Sequence, residues 1–128
     1  MSWLSKVSVT MLAEDYENLK EIYQSLDDKS SLNLFQKGKV IRKTSENVAT
    51  VTVMWNWIVF GIEEEDSWGA ILMDFFKGVY DGDKAKPYKI IVIDEHSEKT
   101  FENDEEEDSR GRYLPNETIP YVIKDFIL

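Results

Sequence analysis

Residues 49–60 read ATVTVMWNWIVF. Three Val, one Ile, two Trp and two Thr fall within these twelve positions. Such β-branched and aromatic side chains suit a pleated, half-buried surface. At period 2, Val51, Val53, Trp55, Trp57 and Val59 share one face. Thr50, Thr52, Met54 and Asn56 take the other, which turns apolar at Ile58 and Phe60. The pattern predicts a central strand whose Val/Trp face requires a covering layer.

Two amphipathic stretches offer that layer. Within residues 13–26, Tyr16, Leu19, Ile22, Tyr23 and Leu26 recur at helical spacing. Glu14, Asp15 and Glu17 occupy the first turns, where negative charge complements the helix dipole. In the second, Trp68, Ile71, Leu72, Phe75, Phe76, Val79 and Tyr80 form a stripe, with Asp66 or Ser67 as N-cap and Gly82 as C-cap.

Further strands flank these helices. Residues 6–12 alternate Val7, Val9 and Met11 with Ser8 and Thr10. Residues 27–31 read as a polar loop. Residues 34–43 read as a strand interrupted at Gly38, carrying Lys37, Lys39, Arg42 and Lys43. Its poor alternation and its lysines predict an edge, where lysine discourages strand-to-strand aggregation. A turn over 44–48 joins it to the central strand as a hairpin. Residues 88–94, YKIIVID, are apolar on both faces and read as internal. Residues 99–102 suit a short strand pairing back; after an acidic loop over 103–117, residues 118–128 fit either strand alternation or a helical stripe (Ile119, Val122, Ile123, Phe126, Ile127), and their β-branched and aromatic content favours a strand. The order β-α-β-β-α-β predicts one α+β domain spanning 1–128, ferredoxin-like, with both helices on one face of an antiparallel sheet and additional C-terminal strands.

Composition narrows the function. A chain of 128 residues with 42% hydrophobic and 31% charged side chains is expected to bury a real core. It has no cysteine, which excludes disulfides, thiolate metal sites and a cysteine nucleophile. The first fifteen residues lack a signal-peptide pattern, and no apolar run approaches the roughly 20 residues of a membrane helix. The expected location is the cytoplasm.

Catalytic motifs are missing. The six glycines build no phosphate-binding loop, and there is no GxSxG elbow. His96, the single histidine, reads as a turn residue, since a zinc site wants three or four convergent ligands. Asp81-Gly82-Asp83-Lys84 lacks the remaining ligands of a calcium loop. Asp74 is expected on the solvent side of its helix with Lys77. No catalytic residue, cofactor or metal is expected, and direct nucleic-acid binding is disfavoured by scarce basic residues.

The dominant signal is charge. With 25 acidic against 15 basic residues, the net charge is −10. Two groups concentrate it: Glu63, Glu64, Glu65 and Asp66 form one, and Asp104, Glu105, Glu106, Glu107 and Asp108 the other. Such groups attract basic proteins and can imitate a phosphate backbone. The expected function is a non-catalytic protein-binding module, of the inhibitor, immunity or phage counter-defence type, whose partner is a basic nuclease or nucleic-acid-binding protein. The alternatives are a small-molecule or enzymatic domain with a pocket lined by Trp55, Trp57, Tyr80 or Tyr88, and a homo-oligomeric structural module.

Overall fold

The β-rich stretch forms strand β3 (Val48–Val59) of an open, five-stranded sheet. The computed structural model describes residues 4–27, 29–45, 47–59, 68–80, 85–93 and 98–102. Around β3 the chain runs β1 (Leu4–Leu12), α1 (Ala13–Ser25), α2 (Ser30–Gln36), β2 (Lys39–Ser45), then α3 (Trp68–Phe76), β4 (Tyr88–Ile93) and β5 (Glu98–Glu102). The sheet order is β2-β3-β1-β4-β5, and every neighbouring pair is antiparallel. The chain is therefore α+β. The lysine-bearing β2 lies at an edge as expected, β4 is internal, and β5 pairs back on it. The middle of the sheet is β1 rather than β3. The expected strand over 118–128 lies outside the described residues.

The Val/Trp face is covered as its pattern predicts. Val7, Val9 and Met11 of β1, Val51, Val53 and Trp55 of β3, and Ile90 of β4 form one buried cluster with the helices. From α1 come Tyr16, Leu19 and Tyr23, and from α3 come Ile71, Leu72, Phe75 and Phe76.

Three local features depart from the sequence reading. First, residues 30–36, expected to be loop and strand, are helix α2. Seven residues fall well short of the roughly 12–15 that sustain a helix in water. Phe35 provides the missing stabilisation: it is buried, and its ring meets those of Tyr16, Tyr23 and Trp55. Burial of one such side chain is worth about 1.5–3 kcal/mol.

Second, β3 contains an extra residue. Trp55 pairs with Val7 and Ile58 with Ser5, so three steps along β3 match two along β1. This is the geometry of a β-bulge. It reverses the alternation, and Ile58 packs against the helix-side core instead of the opposite face.

Third, α3 stops at Phe76, and Val79 and Tyr80 are exposed rather than part of its stripe. Gly78, at φ 83°, makes the stop. Its N–H donates to the Phe75 carbonyl and that of Val79 to the Asp74 carbonyl, both at 3.0 Å. This is a Schellman ending, in which a left-handed residue suits glycine. Gly82, expected in that role, lies outside the described residues. Lys77 falls in the turn after the helix and forms no ion pair with the half-buried Asp74.

One buried polar contact ties α1 to α3. The Tyr23 hydroxyl donates to the Trp68 carbonyl at 2.7 Å. Burial, with a smaller contribution from Tyr80, pushes the Tyr23 phenol far above its ordinary value of 10.0. The native state thus holds this proton where an unfolded chain releases it. Its contribution is intact below about pH 10 and is lost as pH rises above that value. Tyr23→Phe is expected to cost about 1–2 kcal/mol at neutral pH by leaving the carbonyl without this donor. It should also flatten the alkaline fall in stability. Urea unfolding at pH 7 and pH 10.5 checks both, and parallel curves for the two proteins would refute the pH assignment.

Candidate interaction surface

All three helices pack on one side of the sheet, so the molecule has two unlike faces. On the helix side, Arg42 of β2 extends over the ring of Tyr16, 5.4 Å from its centroid. Its Nη2 donates to Glu17 Oε1 at 3.2 Å. Both partners of this ion pair are exposed, so its contribution to stability is at most about 1 kcal/mol. Burial raises the Tyr16 phenol above its ordinary value, Arg42 lowers it and Glu17 raises it.

The opposite side is built from small hydroxyl residues. Thr10 and Thr52 face each other across β1 and β3 with their Oγ1 atoms 2.9 Å apart. Thr50 Oγ1 donates to the Lys43 carbonyl at 3.3 Å. Ser8, Thr10, Thr50 and Thr52 are each at most 3% exposed. Beside them, Ile41 and Ile93 pack on Met54. Four lysines share this side by register: Lys39 opposite Met54, Lys43 opposite Thr50, Lys6 opposite Ile93 and Lys89 opposite Thr10.

The basic stretch over residues 37–43 is therefore not one patch. Arg42 serves the helix side, Lys39 and Lys43 the other, and Lys37 lies in the link before β2. Alternation of a strand divides charges that look contiguous in sequence.

Acid is concentrated along the chain in two groups. Glu63, Glu64, Glu65 and Asp66 precede α3, and Asp104, Glu105, Glu106, Glu107 and Asp108 follow β5. Both candidate groups lie outside the described residues, as does His96. Among the described residues, no group of three or more His, Asp or Glu side chains is placed to hold a metal ion. Nor, among them, is any helix long and apolar enough to cross a membrane.

The aromatic residues expected around a ligand pocket are dispersed. Trp55 is buried, its ring 4.8 Å from Trp68 and 6.3 Å from Phe35 between centroids. Its Nε1 donates to the Leu34 carbonyl at 2.8 Å. Tyr88 stacks on Phe76 at 4.6 Å, and burial raises its phenol above the ordinary value. Tyr80 is exposed. The Trp57 side chain lies outside the described set. Trp55 and Tyr88 thus spend their ring faces on the core, which sequence alone does not distinguish from lining a pocket.

No protein-family model matches the chain, and neither the curated proteins nor the solved structures contain a match to it.

Proposed function

We propose that this protein is a small acidic, non-catalytic binding module that engages a basic protein partner. The observation that carries this reading is the concentration of acid in the sequence. Nine of the 25 acidic residues fall in the groups 63–66 and 104–108 of a chain whose net charge is −10. Solubility requires only dispersed charge, whereas two dense groups create a local field that draws in a basic surface. A nuclease or another nucleic-acid-binding protein presents such a surface, so an inhibitor, immunity or phage counter-defence role fits the chemistry. The α+β scaffold suits the ferredoxin-like arrangement, a reading supported by the antiparallel neighbours β2-β3-β1-β4.

The test joins capture to kinetics. A basic protein retained from lysate at low salt would be purified and its association rate measured across an ionic-strength series. The Debye length contracts from about 30 Å at 0.01 M to about 8 Å at 0.15 M, so the rate should fall steeply over that range. Joint replacement of Asp104 and Asp108 by Asn and of Glu105, Glu106 and Glu107 by Gln should slow association about tenfold or more at low salt. A rate indifferent to salt and to these replacements would refute the proposal.

A further inference from the structure

We infer that the outer edge of β2 is a docking site for an extended, acidic segment of a partner protein, which adds to the sheet as a further strand. β2 ends the sheet, and among the described residues no strand pairs with its outer side. Alternate residues of such a strand turn their N–H and C=O groups outward, where an added strand can bond them. The edge is also accessible. Lys39, Val40, Arg42, Lys43 and Thr44 are exposed, and Ile41 is half-buried. Val40, 39% exposed, gives the edge an apolar spot amid its charges.

Charge selects the occupant. Residues 29–45 contain Lys29, Lys37, Lys39, Arg42 and Lys43 and no acid, in a chain whose net charge is −10. Alternation divides the charges of β2 between the two faces of the sheet, and that division brackets an added strand. Arg42 flanks it on the helix side, and Lys39 and Lys43 flank it on the other. A second copy of this chain does not fit. Antiparallel pairing of two β2 edges centred on Ile41 sets Lys39 opposite Lys43, and pairing centred on Arg42 sets that residue opposite itself. Like charges directly opposite are destabilising. The lysines that protect the edge from its own kind therefore leave it open to an acidic strand.

Register dictates what that strand carries. Opposite Lys39 and Lys43 it presents carboxylates, and opposite Val40 and Ile41 apolar side chains. Arg42 is engaged by Glu17 at 3.2 Å and lies over the Tyr16 ring, so a small polar residue opposite it suffices. Main-chain bonds supply the affinity and the alternating side chains the selectivity. From its N-terminus, an antiparallel partner thus reads acid, small polar, apolar, apolar, acid. Such a partner is opposite in sign to the one drawn by residues 63–66 and 104–108, so the two sites stand or fall by separate tests.

The probe is a blocked peptide, Thr-Glu-Thr-Val-Val-Glu-Thr, titrated into the isotope-labelled full-length chain. Amide resonances of residues 39–45 should shift saturably. Affinity should fall about tenfold in the joint variant Lys39→Glu, Lys43→Glu, which turns two attractive cross-strand pairs repulsive. Both lysines are exposed, so the variant should fold, and unshifted resonances from the core check that it does. Two control peptides should not bind: one with Lys in place of both Glu, and one N-methylated along its backbone, which keeps the charge but cannot bond the edge. No saturable shift, shifts confined to other elements, or equal binding of either control would overturn the inference. So would movement of the same amides on concentrating the chain without peptide, which would give the edge to a second copy.

Discussion

Trp55→Ala is expected to lower stability by about 3–5 kcal/mol, the range for emptying a packed aromatic site. Trp55 joins every layer of the core. Its ring meets Phe35 of α2 and Trp68 of α3, and its Nε1–H is held by the Leu34 carbonyl at 2.8 Å. The substitution removes both ring contacts and the indole donor, leaving the Leu34 carbonyl with the Lys37 N–H alone at 3.1 Å. Domains of this size have total stabilities of about 5–15 kcal/mol, so the variant should unfold at a far lower urea concentration. Trp55→Phe separates the two contributions: most ring contact survives, and the lost hydrogen bond should cost about 1–2 kcal/mol. Urea midpoints at unchanged m-value provide the measurement. A loss below about 1 kcal/mol for the alanine variant would mean that Trp55 is not the anchor described.

Gly38→Ala should be costly for the opposite reason. Gly38 sits between α2 and β2, and a Cβ there would lie 2.3 Å from Val53 Cγ1 and 2.7 Å from Trp55 Cε2. Neither neighbour has room to retreat, because both are buried in the same cluster. Overpacking of this kind costs about 1–3 kcal/mol. The glycine is required by space rather than by backbone conformation, since Gly78 is the glycine with positive φ among the described residues. That distinction is measurable. Val53→Ala removes the nearest atom, so Gly38→Ala should cost less in that background. A double-mutant cycle should return a coupling of about 0.5–3 kcal/mol. A coupling of zero would move the cost from Val53 to the Trp55 ring, 2.7 Å away, or to the backbone.

Much of the scaffold was legible in the sequence because period and burial agree there. The alternation of residues 6–12 and 49–55 and the helical stripe from Tyr16 to Tyr23 each announce the face that the core uses. The edge position of β2 was legible from its lysines. What could not be read is what tertiary contact decides. Phe35 converts a polar-looking segment into α2 only because Tyr16, Tyr23 and Trp55 wait for it. One signal was present: Leu32 and Phe35 stand three apart ahead of Gly38. The extra residue after Trp55 has no marker at all, so a strict period of two assigns Ile58 to the wrong side. The candidate site was legible only as composition. The groups 63–66 and 104–108 stand out as charge, but charge carries no periodicity from which a shape could be built.

The hold on the start of β4 has a consequence for how the fold loosens. Just before that strand, the Lys86 N–H bonds the Phe76 carbonyl, its ammonium lies 4.6 Å from the centre of the Phe75 ring, and Phe76 stacks on Tyr88. The end of α3 and the start of β4 are thereby fastened directly to each other, across the ends of the covalent link 81–84. The two ends therefore share one fate: whatever loosens the last turn of α3 also releases the first residues of β4 from the core.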